Sequence, residues 1–215
     1  MKTIYQLLFL FSAVGTVLTG CKDEDHLIGG DPVYKTSFID SYEEVTGQAQ
    51  LSEIKLSADK KTASFSVSFS CQKTKEDYNH LTKYYHDTSF NRYVAPIPNA
   101  ALNDSIQYIR LEAANEIDAT HPAGSVVSDK VTVSYRSYYP YIMRGYTDDA
   151  KTTDGLTDFQ KDVKDISYAN TKLMLPALDI EFTPHSEIKG KHSLKLTVQF
   201  SKKKIEKEFE YDFGK

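Results

Sequence analysis

Five strings, Ser52–Lys55, Ser57–Lys60, Ser70–Lys73, Ser186–Lys189 and Ser201–Lys204, set a hydroxyl and an amine at the Ser-x-x-Lys spacing of serine acyl-transfer chemistry. The companions that make this spacing reactive, a Ser-Asp-Asn and a Lys-Thr-Gly, are missing, and Ser128-Asp129-Lys130 does not replace them. In a chain rich in both residues the spacing follows from composition. The sequence also lacks a Gly-x-Ser-x-Gly elbow, a phosphate loop, a dinucleotide fingerprint and a His-Glu-x-x-His pair. No catalytic constellation is legible, so an enzyme is not expected, and neither is a cofactor.

Metal chemistry fares no better. The six histidines, His26, His80, His86, His121, His185 and His192, never fall at ligand spacing on one helix or in one hairpin turn. A zinc site would have to be assembled from distant residues. Asp148, Asp149, Asp154 and Asp158 surround Gly155, but Lys151 occupies a position where a calcium loop needs oxygen. The alternative is an acidic cap for a helix starting near Leu156, favoured by the helix dipole. No metal is expected.

Two strings suit binding better than catalysis. Tyr138-Tyr139-Pro140-Tyr141, with Tyr146 nearby, could stack on sugar rings, although the chain has no tryptophan; tyrosines with a polar tip also suit strand edges. Asp118-Ala119-Thr120-His121-Pro122-Ala123-Gly124-Ser125 reads as a structured loop. There Pro122 fixes φ, Gly124 permits a positive φ, and Asp118 can cap the turn. Either Asp118 and His121 are exposed for binding, or the string is turn chemistry alone.

The elements that must carry these residues are mostly strands. In Thr62–Cys71, Phe65, Val67, Phe69 and Cys71 share one side, and Ser64, Ser66, Ser68 and Ser70 the other. Cys71 is therefore expected to be a small core residue and not a reactive thiol. Alternation recurs in Ser105–Ala113, Lys130–Tyr139 and Lys172–Thr183, the last with Pro176 forcing a bulge or an edge. A terminal hairpin sets Leu194, Leu196, Val198 and Phe200 against Ile205, Phe209, Tyr211 and Phe213 across the polar turn Ser201–Lys204. Two helices are predicted, Lys75–His86 and Leu156–Ile166, the second from the stripe Leu156, Phe159, Val163 and Ile166. The pattern predicts a mostly-β fold: an antiparallel β-sandwich, immunoglobulin-like or similar, with one or two short helices.

Charge narrows the partners. The net charge of −4 offers no basic surface, so nucleic acid is not an expected partner, and neither is peripheral attachment to anionic lipid.

The first residues resemble a bacterial lipoprotein signal. Lys2 precedes an apolar run from Ile4 to Val17, too short and too interrupted to span a bilayer, which needs roughly 20 apolar residues. Leu18-Thr19-Gly20-Cys21 resembles the lipobox, in which the cysteine sulfur receives a diacylglyceryl group and the new amino terminus is acylated. The resemblance implies a leader over 1–20, a lipidated Cys21 with a flexible linker over 21–32, and a β-rich domain over 33–215. Cys71 then has no partner within the chain. Acyl chains contribute about 0.8 kcal/mol per CH₂, so two or three on one residue hold the chain at a membrane. Lys22-Asp23-Glu24-Asp25 resembles the acidic export signal of Bacteroidetes surface lipoproteins, which implies an outer-membrane anchor facing outward. The string His121–Ser125 resembles a loop of uncharacterised lipoproteins of that phylum. Asp104-Ser105-Ile106 resembles its protein O-glycosylation triplet, with Ser105 as acceptor. The expected role is a non-catalytic surface module that binds glycan or protein. The alternatives are a fimbrial subunit exchanging its C-terminal strand, and a small hydrolase whose site comes from residues distant in sequence.

Overall fold

The computed structural model describes residues 31–57, 62–94, 98–117, 119–147, 154–183 and 190–212. The leader with Cys21, and Asp118, Asp148, Asp149, Lys151, His185, Ser186–Lys189 and Phe213, lie outside the described residues. In chain order the elements are β1 (Val33–Lys35), β2 (Ser41–Leu51), β3 (Lys55–Leu56), β4 (Ala63–Lys73), α1 (Tyr78–Tyr84), β5 (Arg92–Val94) and β6 (Ala100–Leu102). There follow β7 (Ile106–Ala113), β8 (Val131–Ser137), α2 (Tyr139–Met143), β9 (Thr157–Asp162), β10 (Met174–Phe182), β11 (Lys191–Phe200) and β12 (Lys204–Asp212).

Two sheets pack as a sandwich. The larger has the order β6-β2-β4-β10-β8-β9, with β3 also beside β4; the smaller is β12-β11-β7. Pairing is antiparallel except for β2 with β6, which run parallel. The inward rows follow directly from the period-2 pattern. Phe65, Ile180 and Val133 lie opposite one another across β4, β10 and β8, and all are buried. Leu111 faces Leu196, and Ile109 faces Val198, which faces Ile205. Aromatic edges join the sheets: Phe65 meets Phe209 and Phe69 meets Phe200, each pair with ring centroids 5.2 Å apart. Burying each such side chain contributes about 1.5–3 kcal/mol. Pro176 sits in a central strand, and the β10–β8 register shifts between Met174 and Leu178, so the bulge absorbs the missing donor.

The margins of the smaller sheet are finished differently. Beside β7, the amides of Ala113, Gly124 and Val127 bond to Ser125 O, Ala113 O and Leu111 O at 3.0, 2.7 and 2.9 Å. The segment after His121 therefore runs along β7 as an irregular strand. A turn closed by Ser125 N to Pro122 O, with Gly124 at φ +80°, allows this course. On the other margin, β12 pairs with β11 from Lys191 opposite Asp212 to Gln199 opposite Lys204. Within it the exposed Lys207 lies opposite the buried Leu196.

A second core lies outside the sandwich, among α1, α2 and the segments flanking β1 and β5. Phe38 is its hub, meeting Phe90, Tyr138 and Tyr141 edge-on at 5.2, 5.4 and 4.9 Å. Asp87 is fully buried within it. Its carboxylate accepts from Phe38 N and Ile39 N, both at 2.8 Å, and from the Tyr146 hydroxyl at 2.9 Å. Burial pushes this carboxyl up, and the three donated bonds pull back against that.

The expected helix over Leu156–Ile166 is instead a strand and a turn. β9 pairs with β8 from Ser137 opposite Thr157 to Thr132 opposite Asp162, and a 3-10 turn spans Val163–Asp165. Phe159 stacks on Tyr135 at 5.1 Å, while Val163 and Ile166 reach the core through the turn. The free edge of β8 outweighs the helical stripe, since both arrangements bury the same apolar residues. Asp154 therefore caps no helix: it bonds to Arg136 at 2.6 Å and to Leu156 N at 3.1 Å. The other predicted helix is present but shorter, as α1, capped by Asp77 accepting from His80 N at 2.7 Å.

Cys71 is half-buried and packs against the sandwich core. Burial, with the Glu43 carboxylate beside it, pushes the thiol up to about 11. A raised thiol adds stability that is intact below the ordinary thiol range and lost as pH rises through about 11. At pH 8, iodoacetamide should label the folded chain about a hundredfold more slowly than the urea-unfolded chain. Comparable rates would show an open, activated thiol.

Candidate functional site

The residues singled out for binding mostly serve the fold. Tyr138, Tyr141 and Tyr146 are buried in the second core, so their rings offer no stacking surface. The break at Pro140 is α2 itself, with proline in its first turn, where no backbone donor is required. Tyr139 is only half-buried, and its ring lies 5.0 Å from the Lys172 ammonium. Ser105 is buried at 1% exposure, which closes it to glycosylation in the folded domain. Its neighbour Asp104 clamps the β11–β12 turn, accepting from Ser201 N and Lys202 N at 3.2 Å each and from the Ser201 hydroxyl.

His121 is buried as well, so of the two readings of its loop, exposure for binding fails at this residue. One ring nitrogen lies 2.9 Å from Thr120 Oγ1 and the other 3.0 Å from Asp129 Oδ1. The order hydroxyl, imidazole, carboxylate has the connectivity of a nucleophilic triad. Acyl transfer further needs donors aimed at a developing oxyanion. The amides of Ala113, Gly124 and Val127 are spent in backbone bonds along β7, and those of Ile117 and Ser125 on His121 O and Pro122 O within the loop. The imidazole pins the loop that seals the sheet margin.

Two hollows remain to consider. The larger, about 470 Å³, lies at the end of the smaller sheet beside Glu112, Lys195, Glu208 and Glu210. Its one aromatic lining residue, Phe209, is engaged with Phe65. The second, a groove of about 430 Å³, lies between α1, the β6–β7 turn, the β11–β12 turn and the loop carrying Tyr168.

Each wall of that groove is fixed from below. α1 buries Leu81 and packs Tyr85 inward, whose hydroxyl donates to Asn103 O at 2.8 Å; this leaves Tyr84 on the outer face, half-exposed. The Tyr168 loop is held just beyond that residue, at Asn170 and Thr171. Tyr135 OH donates to Asn170 O at 2.7 Å, and buried Thr171 Oγ1 accepts from Ile106 N at 2.9 Å. An ion pair between Lys202 and Glu76 crosses one lip. Across the other, the hydroxyls of Tyr84 and Tyr168 meet at 2.9 Å. That bond, then burial, pushes Tyr168 up to about 12, so its phenol stays protonated at neutral pH. The Lys172 ammonium lies 5.8 Å from the Tyr168 ring and also faces Tyr139. The result is a strip of aromatic faces beside His80, Gln107, Glu76 and Lys202.

Tyr84 lies within the predicted helix, but no local pattern marks Tyr168 as its neighbour. The two are 84 positions apart. Among the described residues, no group of three or more His, Cys, Asp or Glu side chains could hold a metal ion, and no helix is long and apolar enough to cross a membrane. No protein-family model, curated protein or solved structure matches this chain.

Proposed function

We propose that this protein is a lipid-anchored cell-envelope module, held by Cys21 at the outer membrane and facing outward, that binds carbohydrate in the Tyr84–Tyr168 groove without catalysis. The observation that carries the reading is the pair of exposed tyrosines, at 50% and 40%, joined hydroxyl to hydroxyl across the groove. A sugar presents apolar C–H faces and a rim of hydroxyls. The two rings match the faces, and the carboxylate, imidazole, amide and ammonium along the lips match the rim. Side chains already fixed by hydrogen bonds lose little freedom on binding. Strand exchange draws no comparable support, because β12 is fully paired within its own hairpin.

A glycan array probed with residues 31–215, followed by titration of the best ligand, tests the reading. Tyr168→Ala is expected to weaken binding about tenfold, which corresponds to roughly 1.4 kcal/mol. Tyr108→Ala should change nothing, since that tyrosine is equally exposed at 44% but lies outside the groove. Retention of no glycan, or equal loss in both variants, would exclude the groove as a sugar site.

A further inference from the structure

We propose that the β1–β5 ribbon is a foot that rests on the lipid surface to which the chain is tethered; this depends on the anchor at Cys21 proposed above. The ribbon pairs Val33 with Val94, Tyr34 with Tyr93 and Lys35 with Arg92. Val94 packs against the second core, so the alternate position, Tyr34 opposite Tyr93, turns outward. Tyr93 is 72% exposed and Tyr34 49%, and their rings lie 5.1 Å apart. No other pair of strands among the described residues leaves so much aromatic surface without protein cover.

The occupant follows from where this surface sits in the chain. The lipobox cysteine precedes Val33 by a short segment that includes Gly29-Gly30. A coil of that length has a root-mean-square span of about 20 Å, and any chain of that length reaches at most about 40 Å. The first element after the tether is therefore the part of the fold held nearest the bilayer. Tyrosine, with an apolar ring and a polar tip, is the side chain suited to the headgroup layer. A foot there would lend the tethered domain a preferred orientation and would leave the tyrosine groove, on other elements, free for ligand.

The absence of tryptophan makes the test direct. Tyr93→Trp and Tyr108→Trp each give the full lipidated chain a single indole, reconstituted in phosphatidylcholine vesicles with brominated acyl chains. The expected result is a blue shift and about a twofold loss of emission for Tyr93→Trp, with Tyr108→Trp unchanged. Flotation with the vesicles reads the anchor separately, with Cys21→Ala as the unanchored control. Flotation with no quenching, or equal quenching at both positions, sinks the foot alone; a wild-type chain that fails to float sinks the anchor and the foot together. Sedimentation of residues 31–215 completes the test: a dimer abolished by Tyr93→Ser would assign the ribbon to a second copy and overturn the lipid reading.

Discussion

Replacing Asp87 with alanine is expected to lower folding stability by on the order of 3 kcal/mol, measured as a shift of the urea midpoint at unchanged slope. The variant strands three donors in a dry interior: Phe38 N, Ile39 N and the Tyr146 hydroxyl. Each buried, unsatisfied donor costs about 1–3 kcal/mol, and relief from burying a carboxylate offsets part of the sum. Against the 5–15 kcal/mol typical of a folded domain, this is a large fraction. Asp87→Asn should also destabilise, because one oxygen becomes an amide that faces a backbone N–H. The pH dependence has a definite sign. Burial raises the Asp87 carboxyl, so its stabilising share is fully present below the ordinary carboxylate range and is lost as pH rises through the raised value. The gap between wild type and Asp87→Ala should accordingly narrow from pH 4 towards neutrality. A widening gap would show that the three hydrogen bonds, not burial, dominate the group.

Gly155→Ala is expected to cost about 2–4 kcal/mol through two separate effects. The residue has φ +72°, where any side chain adds strain. A Cβ there would also lie 2.7 Å from Phe38 Cζ and 2.9 Å from Tyr141 Cδ1. Those rings meet each other at 4.9 Å, and Phe38 packs in turn on Phe90 and Tyr138. The added methyl cannot be accommodated by one flexible tip and must displace the hub of the second core. Gly124→Ala makes the comparison: its φ is +80°, but nothing lies within 4 Å of the new methyl, so only the backbone cost of about 1–2 kcal/mol remains. Equal losses in the two variants would show that packing around Phe38 is loose.

The sandwich was legible wherever alternation ran unbroken. Phe65, Val67 and Phe69 in β4, and Leu194, Leu196, Val198 and Phe200 in β11, all point inward as their spacing predicts. The stripe from Leu156 to Ile166 is ambiguous in sequence because a strand followed by a turn buries the same residues as a helix. The second core was illegible for another reason. It is built from aromatics in turns and short helices, tied by contacts such as Asp87 to Phe38 across 49 positions. No local period records such contacts. The tyrosines between Tyr138 and Tyr146 drew attention by density, yet density marked a packed interior. The groove depends on Tyr84 and Tyr168, each unremarkable in its own neighbourhood, and on loops whose placement comes from single bonds such as Thr171 to Ile106. The His121 string was distinctive in sequence because sealing a strand edge needs a particular turn.

That seal, together with Lys207, bears on how the domain behaves when crowded. A sheet margin with open amides and carbonyls is a template on which a neighbouring molecule can extend itself. One side of the smaller sheet has its backbone groups taken up by the chain's own irregular segment. On the other, an incoming strand would meet the exposed Lys207, which lies opposite Leu196 in the edge strand. Neither margin of the smaller sheet thus offers a colliding copy a ready strand to extend.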